Sequence, residues 1–207
     1  DAQLTEGAQV LQSILTKFDW IVVSDYAKGC IQDAWMKVIL VKGRTWKVLI
    51  DPKSQNWTKY RGADLMTPNF KEFKQCVSYG DSQQVLNRHS TIVPMAKALC
   101  ERYNIAALLV TRGSQGMSLI QADGDLRLYA QAREVFDVSG AGDTVLAAIV
   151  QQLSQGASLS EASVMANLAA GIAVSKKGTS IVNEPELQNA LREKIWHYKL
   201  QTHEQLM

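Results

Sequence analysis

The residues best able to do chemistry concentrate in a few short loops. The most pointed is FDVSGAGDTVLAAIVQQL (136–153), where Ser139, Gly140, Ala141 and Gly142 precede a carboxylate, Asp143, and then an apolar helical run. The first turn of a helix carries N–H groups with no partner inside the helix, and the positive end of its dipole lies there. Glycines in front of that turn let the backbone approach an anion without interference from Cβ atoms. Gly140, Ala141 and Gly142 are therefore candidate anion-hole residues. Asp143 is a candidate general base, placed to take the proton of a nucleophile that attacks the bound group. The bland alternative for Asp143 is a first-turn acid that only complements the dipole.

Five further stretches carry similar potential. SDYAKG (24–29) gathers Asp25 and Lys28 in a loop after an apolar strand, and DPK (51–53) puts Lys53 where it can meet a phosphate, although a loop lysine is more often merely solvated. In TPNFKEF (67–73) Pro68 ends a strand, Asn69 can cap the next helix, and Glu72 follows three residues later. That spacing is a capping box. It is also an oxygen pair suited to organising a hydrated Mg²⁺ and a phosphate, since Mg²⁺ prefers oxygen and keeps its waters. One pair can do both. VTRGSQGM (110–117) sets Thr111, Arg112, Gly113 and Gly116 either around a nucleotide phosphate or in a tight connection. SKKGTS (175–180) reads as a helix end closed by Gly178, or as one wall of a nucleotide pocket with Lys177 in it. No Walker A loop, protein-kinase signature, G-x-G-x-x-G fingerprint or G-x-S-x-G elbow occurs.

The elements that must position these loops alternate. Apolar runs at 19–25, 47–53, 63–69 and 105–113 read as strands, each ending in polar residues. Helical spacing covers 4–17, 31–42 and 91–103, the Asp143 helix, 159–175, and a terminal helix from about Pro185. A hairpin is expected around Asp123-Gly124. This pattern predicts an α/β fold, a mostly parallel sheet flanked by helices on both faces. Ser24-Asp25, Asp51, Thr67–Asn69 and Thr111-Arg112 then fall at the carboxyl edge of the sheet, where open α/β sheets bind ligands. The 207 residues read as one core, with a polar, mobile tail at 198–207.

Composition narrows the function. Lys plus Arg number 22 against 20 Asp plus Glu, a balance that argues against nucleic acid as a partner. Cys30, Cys76 and Cys100 have no metal spacing, and with no membrane span or leader peptide evident the expected location is the cytoplasm.

In this order the motifs resemble the ribokinase/PfkB family of carbohydrate kinases, and within it the D-glycero-β-D-manno-heptose 7-phosphate kinases. DVSGAGDT (137–144) is similar to the family's C-terminal signature, and NFKE (69–72) to its N-x-x-E motif. The likeness runs to about Glu186. It implies a ribokinase-like fold and ATP and Mg²⁺ as cofactors, with Asp143 as the base and the 140–142 turn as the anion hole. It further implies that Asn69, Phe70, Lys71, Glu72, Thr111, Arg112, Gly113, Gly116 and Lys177 hold the nucleotide. Glu72 would reach the metal through water, and Asp25, Lys28 and Lys53 would take the sugar phosphate. A homodimer is compatible with the family's habit of pairing lids. Against that family, about the first third of the kinase, with its Gly-Gly motif, is expected to be missing here.

Overall fold

In the computed structural model, residues 2–78, 87–131 and 134–193 are described; the expected mobile tail lies outside them. The chain divides into two compact units, residues 1–129 with 154–156, and residues 130–153 with 157–207.

The larger unit is built on six strands in sequence order: β1 (Trp20–Ser24), β2 (Lys47–Asp51), β3 (Leu65–Met66), β4 (Leu108–Thr111), β5 (Met117–Gln121) and β6 (Gly124–Leu128). The first four pair in parallel, and β5 and β6 join antiparallel. The inner parallel strands are continuous apolar runs because residues on both faces are withdrawn from water; Val48, Leu49 and Ile50 are all fully buried, whereas edge strand β1 leaves Val22 exposed. Register places Val23, Ile50, Met66, Leu108 and Ile120 in one row across the sheet. That row clusters with Met36 and Ile39 of α2 (Asp33–Ile39), Phe73 and Cys76 of α3 (Phe70–Ser78), and Ile92, Ala96 and Leu99 of α4 (His89–Tyr103). Leu15, ending α1 (Ala2–Leu15), joins the same core.

Helix α2 is shorter than the 31–42 expected. Gln32 is extended at its start, and Leu40 leaves helical geometry at φ −100°, ψ 20°. The hairpin forms as expected, with Gln121 paired to Gly124 across a two-residue turn.

The parallel strands end at one edge. Asp25 N–H donates to the Asp51 carbonyl (3.1 Å), and Thr111 N–H donates to the Pro68 carbonyl (3.0 Å) beside a parallel bridge between Asn69 and Thr111. Loops that are far apart in sequence therefore share the carboxyl edge.

The smaller unit is helical: α5 (Ala141–Ser154), α6 (Leu159–Val174) and a helix over 184–193. A capping box opens α6, with Glu161 N–H on Ser158 Oγ (3.3 Å) and Ser158 N–H on Glu161 Oε2 (2.8 Å). No helix among the described residues is long and apolar enough to cross a membrane.

Candidate active site

The helix start in the smaller unit has the geometry its sequence suggests. The Gly140 carbonyl accepts from Thr144 N–H (2.9 Å), so Gly140 caps α5, and Ala141, Gly142 and Asp143 form its first turn. Gly140 is required twice over. Its φ of +76° suits glycine, and a Cβ there would stand 2.9 Å from Thr179 Cγ2. At Gly142 a Cβ would meet nothing within 4 Å. The space over this first turn is therefore open to an anion, and Asp143 is exposed beside it.

Two other segments brace the turn. Asp137 accepts from Ser139 N–H (2.8 Å). That bond foremost, then the Ser139 hydroxyl and the Gly178 N–H, holds its carboxyl below the ordinary aspartate value. Phe136 and Asp137 N–H groups donate to the Val174 carbonyl (2.8 and 3.3 Å), tying this stretch to the end of α6. SKKGTS is thus carried to the helix start, with Thr179 against Gly140. Its two lysines separate in role. Lys176 pairs with Glu186 Oε1 (2.5 Å) and donates to the Ile181 carbonyl (2.8 Å), whereas Lys177 is exposed. The open first turn and this cationic loop fit the phosphates of a nucleotide.

In the larger unit the Asn69/Glu72 capping box is formed. Glu72 N–H donates to Asn69 Oδ1 (3.0 Å), and Asn69 N–H donates to Glu72 Oε2 (2.9 Å). The other carboxylate oxygen, Oε1, takes Lys53 Nζ at 2.7 Å. This bond chiefly, against an opposing effect of burial, holds the Lys53 ammonium above its ordinary pKa. Both oxygens of the buried Glu72 are therefore engaged, which does not suit direct metal ligation. Among the described residues no group of three or more His, Cys, Asp or Glu side chains could hold a metal. Phe70 packs on the core and Lys71 is exposed.

Thr111 lies next to Asn69 at the sheet edge. Gly113 (φ +58°) and Gly116 (φ +80°) flank a 3₁₀ turn, Gly113–Gln115, that reverses the chain into β5. Arg112 does not share Thr111's surroundings: it is 3% exposed and its Nη2 donates to the Gln115 carbonyl (2.8 Å).

Asp25 is the other departure. The sequence places it among substrate ligands, yet only 3% of it is exposed. Its carboxylate accepts from Lys59 Nζ (2.6 Å), the Tyr60 hydroxyl (2.6 Å) and Ala27 N–H (2.7 Å). Burial alone raises its pKa, but the bonds from Lys59, Tyr60 and Ala27 outweigh it and leave the carboxyl below the ordinary value. The Tyr60 hydroxyl is pushed far up, first by burial and then by Asp25. Asp25 thus ties the 25–31 loop, with exposed Lys28, to the loop after β2. Lys59 and Tyr60 lie 34 and 35 residues away in sequence, and no local signal marks them.

Bifunctional protein HldE of Edwardsiella ictaluri is 43% identical over 183 residues, covering 88% of this chain and 37% of that protein. HldE of Coxiella burnetii (strain Dugway 5J108-111) is 42% identical over 186 residues, covering 89% and 38%. The chain thus spans well under half the length of these relatives. Ribokinase from Thermotoga maritima superposes with a TM-score of 0.73 at 22% identity, covering 87% of this chain and 59% of that one. Phosphofructokinase-2 from Escherichia coli, solved with potassium, gives 0.75 at 16% identity, covering 88% and 60%. These two likenesses show the fold, a ribokinase-like α/β architecture. The pfkB family carbohydrate kinase model matches residues 2–187, and the chain belongs to that family.

Proposed function

We propose that this chain is the core of an ATP-dependent carbohydrate kinase that phosphorylates the anomeric hydroxyl of D-glycero-β-D-manno-heptose 7-phosphate, a step toward lipopolysaccharide core heptose. The observation that carries the reading is the glycine-capped start of α5, open above Gly142, with exposed Asp143 in its first turn. The likeness of the surrounding motifs to heptose 7-phosphate kinases selects the acceptor.

ATP supplies the phosphoryl group. In this mechanism Asp143 takes the proton of the acceptor hydroxyl as the hydroxyl attacks. The 140–142 turn faces the developing charge with its backbone N–H groups, of which that of Ala141 must leave the Val138 carbonyl (3.2 Å) to take part. Asn69, Thr111, Gly113 and Gly116 hold phosphate oxygens from the sheet edge, and Lys177 adds a cation. Lys28 and Lys53 bind the acceptor's phosphate, in loops that Asp25 fixes without touching substrate. Mg²⁺ accompanies the nucleotide. Glu72 meets its hydration shell only when Lys53 exchanges partners, so no step is assigned to the metal. The cytoplasm, where ATP is abundant, is the proposed site of action.

The test is phosphoryl transfer from γ-labelled ATP to a panel of sugars and sugar phosphates. Heptose 7-phosphate as the preferred acceptor supports the reading. Preference for an unphosphorylated sugar would leave a kinase but remove the heptose assignment.

A further inference from the structure

Side chains alternate along a strand, so Arg112 lies on the face of Val110 and away from Thr111. Val110 pairs with Ser118 and Ser118 with Arg127, which makes this the face that α4 covers. At this end the face turns from apolar to cationic. The Arg112 guanidinium donates from Nη2 to the carbonyls of Gln115 (2.8 Å) and Met117 (3.5 Å). Its Nε and Nη1 are buried without a partner among the described residues. A buried cation is ordinarily paired, and leaving its N–H groups unbonded is costly. Burial first, and Arg127 second, depress the Arg112 pKa, as expected of a cation with no carboxylate beside it.

A cleft of about 420 Å³ opens here, lined by Asn87, Arg88, His89, Ser90, Gln115 and Arg127. Gln115, whose carbonyl takes Arg112 Nη2, and Arg127, whose charge Arg112 feels, both border it. The guanidinium therefore lies behind these two residues and is not itself part of the lining. The cleft also contains the start of the 15-residue α4, where the capping residue Arg88 gives no side-chain bond to the first-turn N–H groups. Asn87, also in the lining, has a buried amide oxygen without a partner among the described residues. Arg127 is steadied by Tyr129, its guanidinium 4.5 Å from the ring centroid. The nearby acid is already engaged: Asp125 Oδ2 lies 2.6 Å from His89 Nε2, and His89 Nδ1 lies 2.9 Å from Ser118 Oγ.

We propose that this cleft binds a phosphoryl anion, inorganic phosphate or a phosphate monoester, on the sheet face opposite Thr111. Arg112 is reassigned by it, from the nucleotide residues to the buried layer behind a second site. The 3₁₀ turn Gly113–Gln115 lies between the two, so an occupant held against Gln115 and Arg127 steadies the turn that carries Gly113 and Gly116.

The probe is inorganic phosphate, titrated by calorimetry into the chain at constant ionic strength. Arg127→Gln is the main variant, because Arg127 is exposed and its loss spares the core. Gly142→Ala controls for phosphate held at the α5 helix start. Loss of one charged hydrogen-bond donor should weaken phosphate binding about tenfold or more in Arg127→Gln. The binding component that Arg127→Gln weakens should persist in Gly142→Ala, whatever that variant removes at the α5 start. Chloride at equal ionic strength should not compete. Absence of phosphate binding overturns the proposal. So does binding that survives Arg127→Gln unchanged, or that is lost only with Gly142→Ala. Glucose 6-phosphate in place of phosphate, losing affinity in parallel, extends the site to monoesters. Binding of phosphate alone restricts it to the free ion. A failure of the kinase reading leaves all these readouts intact, since none measures transfer.

Discussion

Replacing Asp25 tests whether one buried carboxylate organises the loops of the larger unit. Asp25→Ala removes an acceptor of three bonds and strands two donors, the hydroxyl of fully buried Tyr60 and the Lys59 ammonium. Breaking a buried pair from one side costs about 3–5 kcal/mol. Tyr60→Phe deletes the bond to the charged acceptor Asp25 and a long one accepted from Lys53 N–H (3.5 Å), and should cost about 1.5–3 kcal/mol. The two act on one network, so the double variant should be less destabilised than the sum by about 1 kcal/mol or more. Urea unfolding followed by circular dichroism gives all four corners of the cycle. A titration adds a second arm. The folded pKa of Asp25 lies below its unfolded value. Its contribution is therefore complete above the unfolded value of about 3.9 and is lost as pH falls from there through the folded value. Tyr60→Phe should show a smaller loss over that window than the wild type. An Asp25→Ala protein within about 0.5 kcal/mol of wild type, or a cycle additive within that margin, would refute the hub. If Asp25→Ala does not fold, Tyr60→Phe alone still decides the acid-limb difference.

Three further outcomes follow from the geometry. Gly140→Ala should destabilise the smaller unit by about 1–2 kcal/mol, from the positive φ and the approach to Thr179 Cγ2; Thr179→Ser, which lacks that methyl, should recover part of the loss in thermal unfolding. Glu72→Gln should raise the Mg²⁺ concentration needed for half-maximal transfer, while Asn69→Ala should lose about 1 kcal/mol of capping in denaturant titrations; unchanged Mg²⁺ dependence in both would leave the pair a cap and nothing more. Lys53→Met frees Glu72 Oε1, so the Mg²⁺ requirement should fall while the KM for the sugar phosphate rises; a rise in both would place Lys53 on the nucleotide side.

What the sequence made legible was local. Asn69 and Glu72 are three residues apart, and a cap is formed by bonds at that spacing, so the motif could be read directly. Gly140 and Asp143 likewise belong to one turn, and the polar ends of apolar runs marked the sheet edge. The partners of Asp25 and of Glu72 were hidden because Lys59, Tyr60 and Lys53 reach them only after strands pair. The burial of Arg112 is hidden for a different reason. Counting two residues from Val110 along β4 sets it on the α4 face, but the neighbouring glycines drew attention to the loop rather than to strand parity. Helix α2 was overextended because apolar spacing continues past Ile39, while the backbone turns away at Leu40.

The central claim rests on Asp143, and phosphorus NMR tests it most directly. Protein purified from its native source, with ATP, Mg²⁺ and heptose 7-phosphate, should convert the γ-phosphoryl resonance into an anomeric phosphate. Asp143→Asn should bind ATP as before and transfer about 10²–10⁴ times more slowly. An Asp143→Asn protein that turns over at the wild-type rate, or a wild type that transfers phosphate to no carbohydrate acceptor, would contradict the account.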